Sequence, residues 1–334
     1  MVQLETDIAE SSPGEVKEEL PEQKPLLVLK NVRQRFGSKE VLKGLNLEVM
    51  PGEIYGLLGQ NGAGKTTTFR IISTLLKPTS GVASLEGRNL TSGRDLKTNR
   101  AQIGYMPDEF SAFEDLTAEE YLLFFASAYG IEPKRRTGLV SDMLQLVDMH
   151  ERKDGLIRTF SRGMRQRVEL ARTLVHDPKL LILDEPASGL DPRARVEIRE
   201  LLVELRNMGK TIILSSHVLS DIAEICDRIG VLSNGVISKE GDLESFVAQT
   251  GPNQAVRIAV DEGREALTKA LVSLNSDLKV EEHRHYDVVQ LPSEMTVAEL
   301  SKGIAGAGLT LTMLAPMELS LESAFISLTE GGVE

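Results

Sequence analysis

Cysteine and tryptophan are nearly missing from this chain: there is one cysteine, Cys226, and no tryptophan. A single cysteine excludes an intrachain disulfide and a cysteine-rich metal site. It also points to a reducing compartment. Aromatic residues make up only 4% of the 334 residues. No apolar run reaches the roughly 18 residues of a membrane-spanning helix. The nearest candidate, 121–130, covers about half that length and reads as a buried helix. A basic excess is missing too: 38 Lys+Arg stand against 50 Asp+Glu, a net charge of −12. A general nucleic-acid binder would carry the opposite balance on its binding face. The N-terminus has acids where a signal peptide needs a positive region followed by an apolar one, so a cytoplasmic chain is expected.

What is present is enough apolar residue, 41%, for a sizeable core. The length fits two domains, or one large domain with an appendage. Residues 1–26 hold seven acids, two lysines and three prolines, and read as a disordered acidic tail. Short apolar strands are expected at 26–29, 45–49, 54–58, 103–106, 180–183 and 211–214. Helical spacing marks 115–150 and 193–208. An Asn-Gly turn predicts a hairpin over 231–237. This alternation of strands and helices signals an α/β sheet domain, expected to span 27–247. After a polar linker, strands at 255–260, 286–290 and 309–314 alternate with helices at 262–274, 296–305 and 320–328. That pattern predicts a smaller α+β domain over 248–334.

Gly59-Gln60-Asn61-Gly62-Ala63-Gly64-Lys65-Thr66 fits G-x-x-x-x-G-K-[ST] between a predicted strand and a predicted helix. Its glycines let backbone N–H groups face phosphate oxygens, and the helix N-terminus adds a favourable dipole. In such a loop Lys65 reaches the β- and γ-phosphates, and the Thr66 hydroxyl, followed by Thr67, ligates Mg²⁺. The run Leu180-Leu181-Ile182-Leu183 ends in Asp184-Glu185. Two acids before Pro186 could form a solvated turn. Beside a phosphate loop they read as an Mg²⁺ ligand, Asp184, and a base for the attacking water, Glu185.

The chain resembles the ATP-binding subunits of ABC transporters over residues 26 to about 245. Ser161-Arg162-Gly163-Met164-Arg165-Gln166-Arg167 resembles the family's signature region, Ser188-Gly189-Leu190-Asp191 its D-loop, and Ser216-His217 its switch histidine. Phe36 sits where the family places an aromatic on adenine. The fold this implies is a P-loop NTPase ABC cassette with a helical subdomain at about 110–160. Two departures stand out. Phe160-Ser161-Arg162-Gly163-Met164 replaces the usual Leu-Ser-Gly-Gly-Gln, and Asp108 occupies the usual glutamine position after Met106-Pro107. Both resemble the branch that pairs with ABC-2 type membrane subunits, often exporters. A carboxylate only accepts hydrogen bonds, so Asp108 cannot donate to a γ-phosphate. The segment 319–329 resembles the closing helix of that branch's accessory domain.

The resemblance implies a Mg²⁺-dependent ATPase that dimerises on ATP and releases on hydrolysis. Its site would comprise Phe36, Gly59, Asn61, Gly62, Gly64, Lys65, Thr66, Thr67, Asp108, Asp184, Glu185 and His217. Ser161, Gly163 and Asp191 would act across the dimer, Ser161 serving also as a helix N-cap. Partners would be a second cassette, expected as a homodimer, and a multi-span ABC-2 type membrane subunit. The chain would lie peripherally on the cytoplasmic face of the membrane, powering export. The alternative is a non-transport ABC ATPase acting as a cytosolic regulatory or assembly module. One cassette and no long coiled-coil insertion argue against it. No nucleic-acid partner is expected. Phe110, Phe113, Phe124 and Phe125 sit where motion would pass to a membrane subunit, though such a stripe also suits core packing. His283 and His285 read as surface residues, and His150 and His176 lack ligand partners in sequence.

Overall fold

The computed structural model describes residues 24–108, 113–218, 222–242, 245, 255–275, 278–292 and 295–317. The expectations for the acidic tail, for Phe110 and for the 320–328 helix lie outside the described residues.

The chain runs β1 (Leu27–Phe36), β2 (Lys39–Val49), β3 (Ile54–Leu58), α1 (Lys65–Ile72), β4 (Ser80–Leu85), β5 (Arg88–Asn89), α2 (Leu96–Ala101), β6 (Ile103–Met106), α3 (Ala118–Ala128) and α4 (Pro133–Leu146). It continues through α5 (Arg162–Leu174), β7 (Leu180–Leu183), α6 (Pro192–Asn207), β8 (Thr211–Ser216), β9 (Arg228–Ser233) and β10 (Val236–Gly241). Strands β6, β7, β8, β3 and β9 form a parallel sheet, with β10 added antiparallel at one edge. Strands β2, β1, β4 and β5 form a second, antiparallel sheet.

Strands buried on both faces read as continuous apolar runs rather than alternating ones, and β3, β7 and β8 do so. Ile54, Leu58, Leu181, Leu183, Ile212 and Leu214 face a core shared with α3–α6. Tyr55, Leu57, Leu180, Ile182 and Ile213 face a second core shared with β1, β2 and α1. Each fully buried aliphatic side chain contributes about 1.5–3 kcal/mol, so the sheet is held from both sides.

The helical stretch expected over 115–150 is broken. Thr117 and Glu120 form a capping box that starts α3, and Pro133 opens α4 after a break at Gly130. The arm is fixed to α5 by polar contacts. The Tyr121 hydroxyl donates to Glu169 at 2.8 Å, and Arg172 donates to Glu169 and to the Tyr105 carbonyl. Burial pushes the Tyr121 phenol upward, and the Glu169 charge adds to the rise. No described helix is long and apolar enough to cross a membrane.

The C-terminal region is a separate α+β unit. Strands β11 (Ala255–Val260), β12 (Lys279–Glu282), β13 (Asp287–Gln290) and β14 (Leu311–Met317) form an antiparallel sheet in the order β12-β13-β11-β14. Helices Arg264–Leu274 and Val297–Gly306 close one face over Val256, Ile258, Leu267, Val289, Leu300 and Ile304. The buried Asp287 carboxylate pairs with Arg264 Nε at 2.8 Å.

The Asn-Gly turn between β9 and β10 has φ 49° at Asn234 and 82° at Gly235. A Cβ on Gly235 would lie 2.2 Å from the Val41 carbonyl oxygen. Gly235→Ala is therefore expected to cost about 1–3 kcal/mol. Urea unfolding checks this, and an unchanged midpoint would contradict the close approach.

Candidate functional site

Four loops meet at one edge of the parallel sheet because their strands are in register. Leu58 pairs with Ser216, Leu214 with Leu183, and Leu183 with Met106. The residues that follow each strand, Gly59, His217, Asp184 and Pro107-Asp108, therefore emerge together at the carboxyl ends. That is where ligands bind in open α/β sheets.

The loop after β3 winds into α1. Gly62 has φ 85° and Gly64 φ 116°, values that favour glycine. A Cβ on Gly64 would also meet Leu42 Cδ2 at 2.8 Å. Helix α1 has no side-chain N-cap and no acid in its first turn. Its open N–H groups and dipole are suited to an anion from outside the chain.

Gly62, Gly64, Lys65, Thr66, Thr67, Asp108, Asp184 and Glu185 line one cleft of about 280 Å³, together with Lys39, Val41, Gln60 and Asn61. An adjoining cavity of about 390 Å³ shares Lys39, Val41, Gln60, Asn61 and Gly62 and is walled by Leu232–Gly235. Phe36 ends β1 and is 48% exposed; its cross-strand partner Lys39 lines both spaces.

The charges are chained. Buried Lys65 Nζ donates to the Gly59 carbonyl at 2.6 Å and lies 3.3 Å from Glu185 Oε1. Glu185 Oε2 is 2.8 Å from His217 Nδ1. Glu185 itself has φ 52°, a left-handed backbone that costs a non-glycine residue about 1–3 kcal/mol unless its surroundings impose it. Ser215 helps to impose it. Its hydroxyl accepts from Glu185 N–H at 3.0 Å while donating to Asp184 Oδ1 at 2.6 Å.

Asp184 is almost fully buried. Burial raises its pKa, hydrogen bonds from Ser215 and Thr66 oppose the rise, and the charges of Asp108 and Glu185 reinforce it. Asp184 Oδ2 is buried with no hydrogen-bond partner. A buried carboxylate with one bare oxygen, next to a threonine hydroxyl and other acids, is the donor set that a hard divalent cation prefers. The residues present thus fit Mg²⁺. Burial, with the nearby Asp184 and Asp108 charges, also pushes the Tyr105 phenol up to about 12.

Of the expected residues, Phe36, Gly59 and His217 border this cleft without lining it, and Ser161, Gly163 and Asp191 lie apart on α5 and α6. Ser161 caps α5, its Oγ accepting from Met164 N–H at 3.3 Å. Gly163 packs beside Ala194 and Leu190. Asp191 caps α6 through Ala194 N–H at 3.0 Å. Among the histidines, His176 is not a surface side chain. It is half-buried, stacks on Tyr129 and bonds the Ile103 carbonyl.

The family model described as ABC transporter matches residues 42–188. The linearmycin resistance ATP-binding protein LnrL of Bacillus subtilis (strain 168) is 32% identical over 307 residues, 91% of this chain and 98% of that protein. The chain belongs to the ATP-binding subunits of ABC transporters. It is also 33% identical to the bacitracin transport ATP-binding protein BcrA of Bacillus licheniformis, over 90% of this chain and 96% of BcrA. A dimeric ATP-binding cassette solved with ADP and phosphate is similar at 27% identity and a TM-score of 0.60, over 65% of this chain and 98% of that one. The fold is a P-loop NTPase ABC cassette with a helical subdomain and a distinct C-terminal α+β region. Membership implies ATP and Mg²⁺ as ligands and ATP hydrolysis as the activity typical of the family.

Sequence reasoning missed Lys39, Val41 and Ser215. Ser215 is the neighbour of the Ser216-His217 pair, and only its pairing across β7 and β8 reveals its task. Ser215→Ala would strand both Asp184 Oδ1 and Glu185 N–H in a buried setting. It is expected to cost about 1–3 kcal/mol and to lower ATP turnover. Unfolding and steady-state assays check this, and wild-type values in both would contradict it.

Proposed function

We propose that this chain is the ATP-hydrolysing subunit of an ABC-2 type exporter. It works as a pair of cassettes beneath a multi-span membrane subunit, on the cytoplasmic face. The observation that carries the reading is end-to-end likeness. The relatives that this chain matches over about nine-tenths of its length include a linearmycin resistance ATP-binding protein and a bacitracin transport ATP-binding protein. Residues 27–247 are the proposed cassette, with its helical arm at about 110–160. Residues 248–334 are the proposed accessory domain of that branch, following the tail 1–26.

The geometry of the cleft and the family resemblance support the following residue roles. Lys65 and the N–H groups of 59–66 hold the β- and γ-phosphates, and Phe36 stacks on the base. Thr66 and Asp184 hold Mg²⁺, which neutralises phosphate charge when bound. As Lys65 turns to the phosphates, Glu185 Oε1 is released to take a proton from water. His217 keeps the other carboxylate oxygen in place and faces the γ-phosphate. Asp108, an acceptor only, contacts the nucleotide through water. Phosphoryl transfer spreads charge over several oxygens, so further donors aimed there lower the barrier. In a head-to-tail pair those donors are Ser161 Oγ and Gly163 N–H of the second copy, with Asp191 linking the two sites.

An exposed aromatic pair supports docking to a membrane protein. Phe113 and Phe124 are 54% and 49% exposed and meet edge to face at 5.3 Å, while Phe125 packs inward.

Glu185→Gln is expected to lower kcat by about a hundredfold or more while keeping ATP binding. With ATP present, this variant should be recovered from detergent-solubilised native membranes with a stoichiometric multi-span protein. A soluble chain bound instead to a cytosolic partner would contradict transport and favour the regulatory or assembly role.

A further inference from the structure

The signature helix α5 grips the acidic turn of its own chain at two points that the roles above do not use. Gln166 is buried, and its Nε2 donates to the Pro186 carbonyl at 2.9 Å. Pro186 directly follows Glu185, and as a proline it has that carbonyl as its only backbone polar group. One turn earlier, the Arg162 guanidinium lies on Gly189. A Cβ there, at φ 67°, would sit 2.7 Å from Arg162 Cζ. Glu185, strained at φ 52°, is thus held at three places. Ser215 takes its N–H at 3.0 Å, Ser188 N–H bonds its carbonyl at 3.1 Å, and Gln166 pins the next carbonyl. Of these three ties, the one from Gln166 alone comes from a helix whose N-cap is Ser161.

We infer that Gln166 is a positioning residue for Glu185, making the aim of its carboxylate depend on where α5 sits. The inference rests on the reading of Glu185 as the water-activating group. A helix is stiff along its axis, so Ser161 and Gln166 move together. When Ser161 and Gly163 engage a nucleotide across the pair, the shift of α5 reaches Pro186 through the Gln166 amide and reaches Gly189 through Arg162. Occupancy of one site then sets the geometry of the other site's carboxylate. The link needs a donor at position 166. An apolar side chain of the same length fills the space and breaks the link.

The test uses the full chain carrying Gln166→Met, with Glu185→Gln in parallel. Expected for Gln166→Met is a kcat lower by about tenfold or more with KM within about twofold. Fluorescent-ATP affinity should be unchanged, while the melting temperature should fall by a few degrees because the buried Pro186 carbonyl loses its donor. In single-turnover assays with enzyme in excess, the double variant should cleave ATP no more slowly than Glu185→Gln alone, because both changes act through one carboxylate. A wild-type kcat for Gln166→Met would overturn the inference. So would losses that multiply in the double variant, or a kcat loss matched by lost ATP affinity. Arg162→Ala is exposed and leaves the core intact. It should also lower kcat at unchanged KM, and it decides the matter if Gln166→Met fails to fold: a wild-type kcat for Arg162→Ala then overturns the inference. Full turnover by Glu185→Gln would instead defeat the assignment of Glu185 itself. An inactive Glu185→Gln beside a normal Gln166→Met defeats the inference alone.

Discussion

The parallel register of β3, β7 and β8 is the constraint on which the site depends. Leu58 pairs with Ser216, and Leu183 pairs with Leu214. The phosphate loop and His217 therefore leave the sheet at one level, and the Asp184-Glu185 pair leaves it two residues earlier, beside Ser215. Side chains alternate between faces along a strand, so a slip of one residue would exchange the two cores and send Ser215 away from Asp184. Burial on both faces makes that slip expensive, and the same burial that stabilises the sheet also fixes the catalytic spacing.

Within that frame the cleft is a charge-balancing device. Lys65 and Lys39 stand against Asp108, Asp184 and Glu185 among the residues that line it. The Lys65 ammonium is shared between the Gly59 carbonyl and the Glu185 carboxylate. Asp184 keeps one bare buried oxygen, a costly state that a cation would relieve. A magnesium-bound triphosphate would supply both partners, anion for Lys65 and the α1 N-terminus, cation for Asp184. The charge pattern thus favours the two together over either one alone.

Much of this was legible in the sequence because the decisive signals are local. The loop 59–66 is eight consecutive residues, and its strand and helix neighbours are apolar runs of the right length. The hairpin at Asn234-Gly235 was equally readable, as were the C-terminal strands at 255–260, 286–290 and 309–314 and the helices at 262–274 and 296–305. What escaped depends on pairing or on weak patterns. Strand β4 reads Ser-Gly-Val-Ala-Ser-Leu and β12 reads Lys-Val-Glu-Glu, and neither carries a strong strand signal alone. The break between α3 and α4 was hidden inside continuous helical spacing. Ser215 and Gln166 meet their partners across 30 and 20 residues of sequence. No spacing rule joins such positions, since β7–β8 register and α5 packing create the contacts.

The most direct measurement is Mg²⁺-dependent ATP turnover per chain as a function of protein concentration, read beside sedimentation. In the proposed pair two cassettes complete each site, so the rate per chain should rise with concentration in step with the ATP-bound dimer. It should vanish with Lys65→Ala. Full turnover per chain at concentrations where the protein sediments as a monomer with ATP would contradict the account.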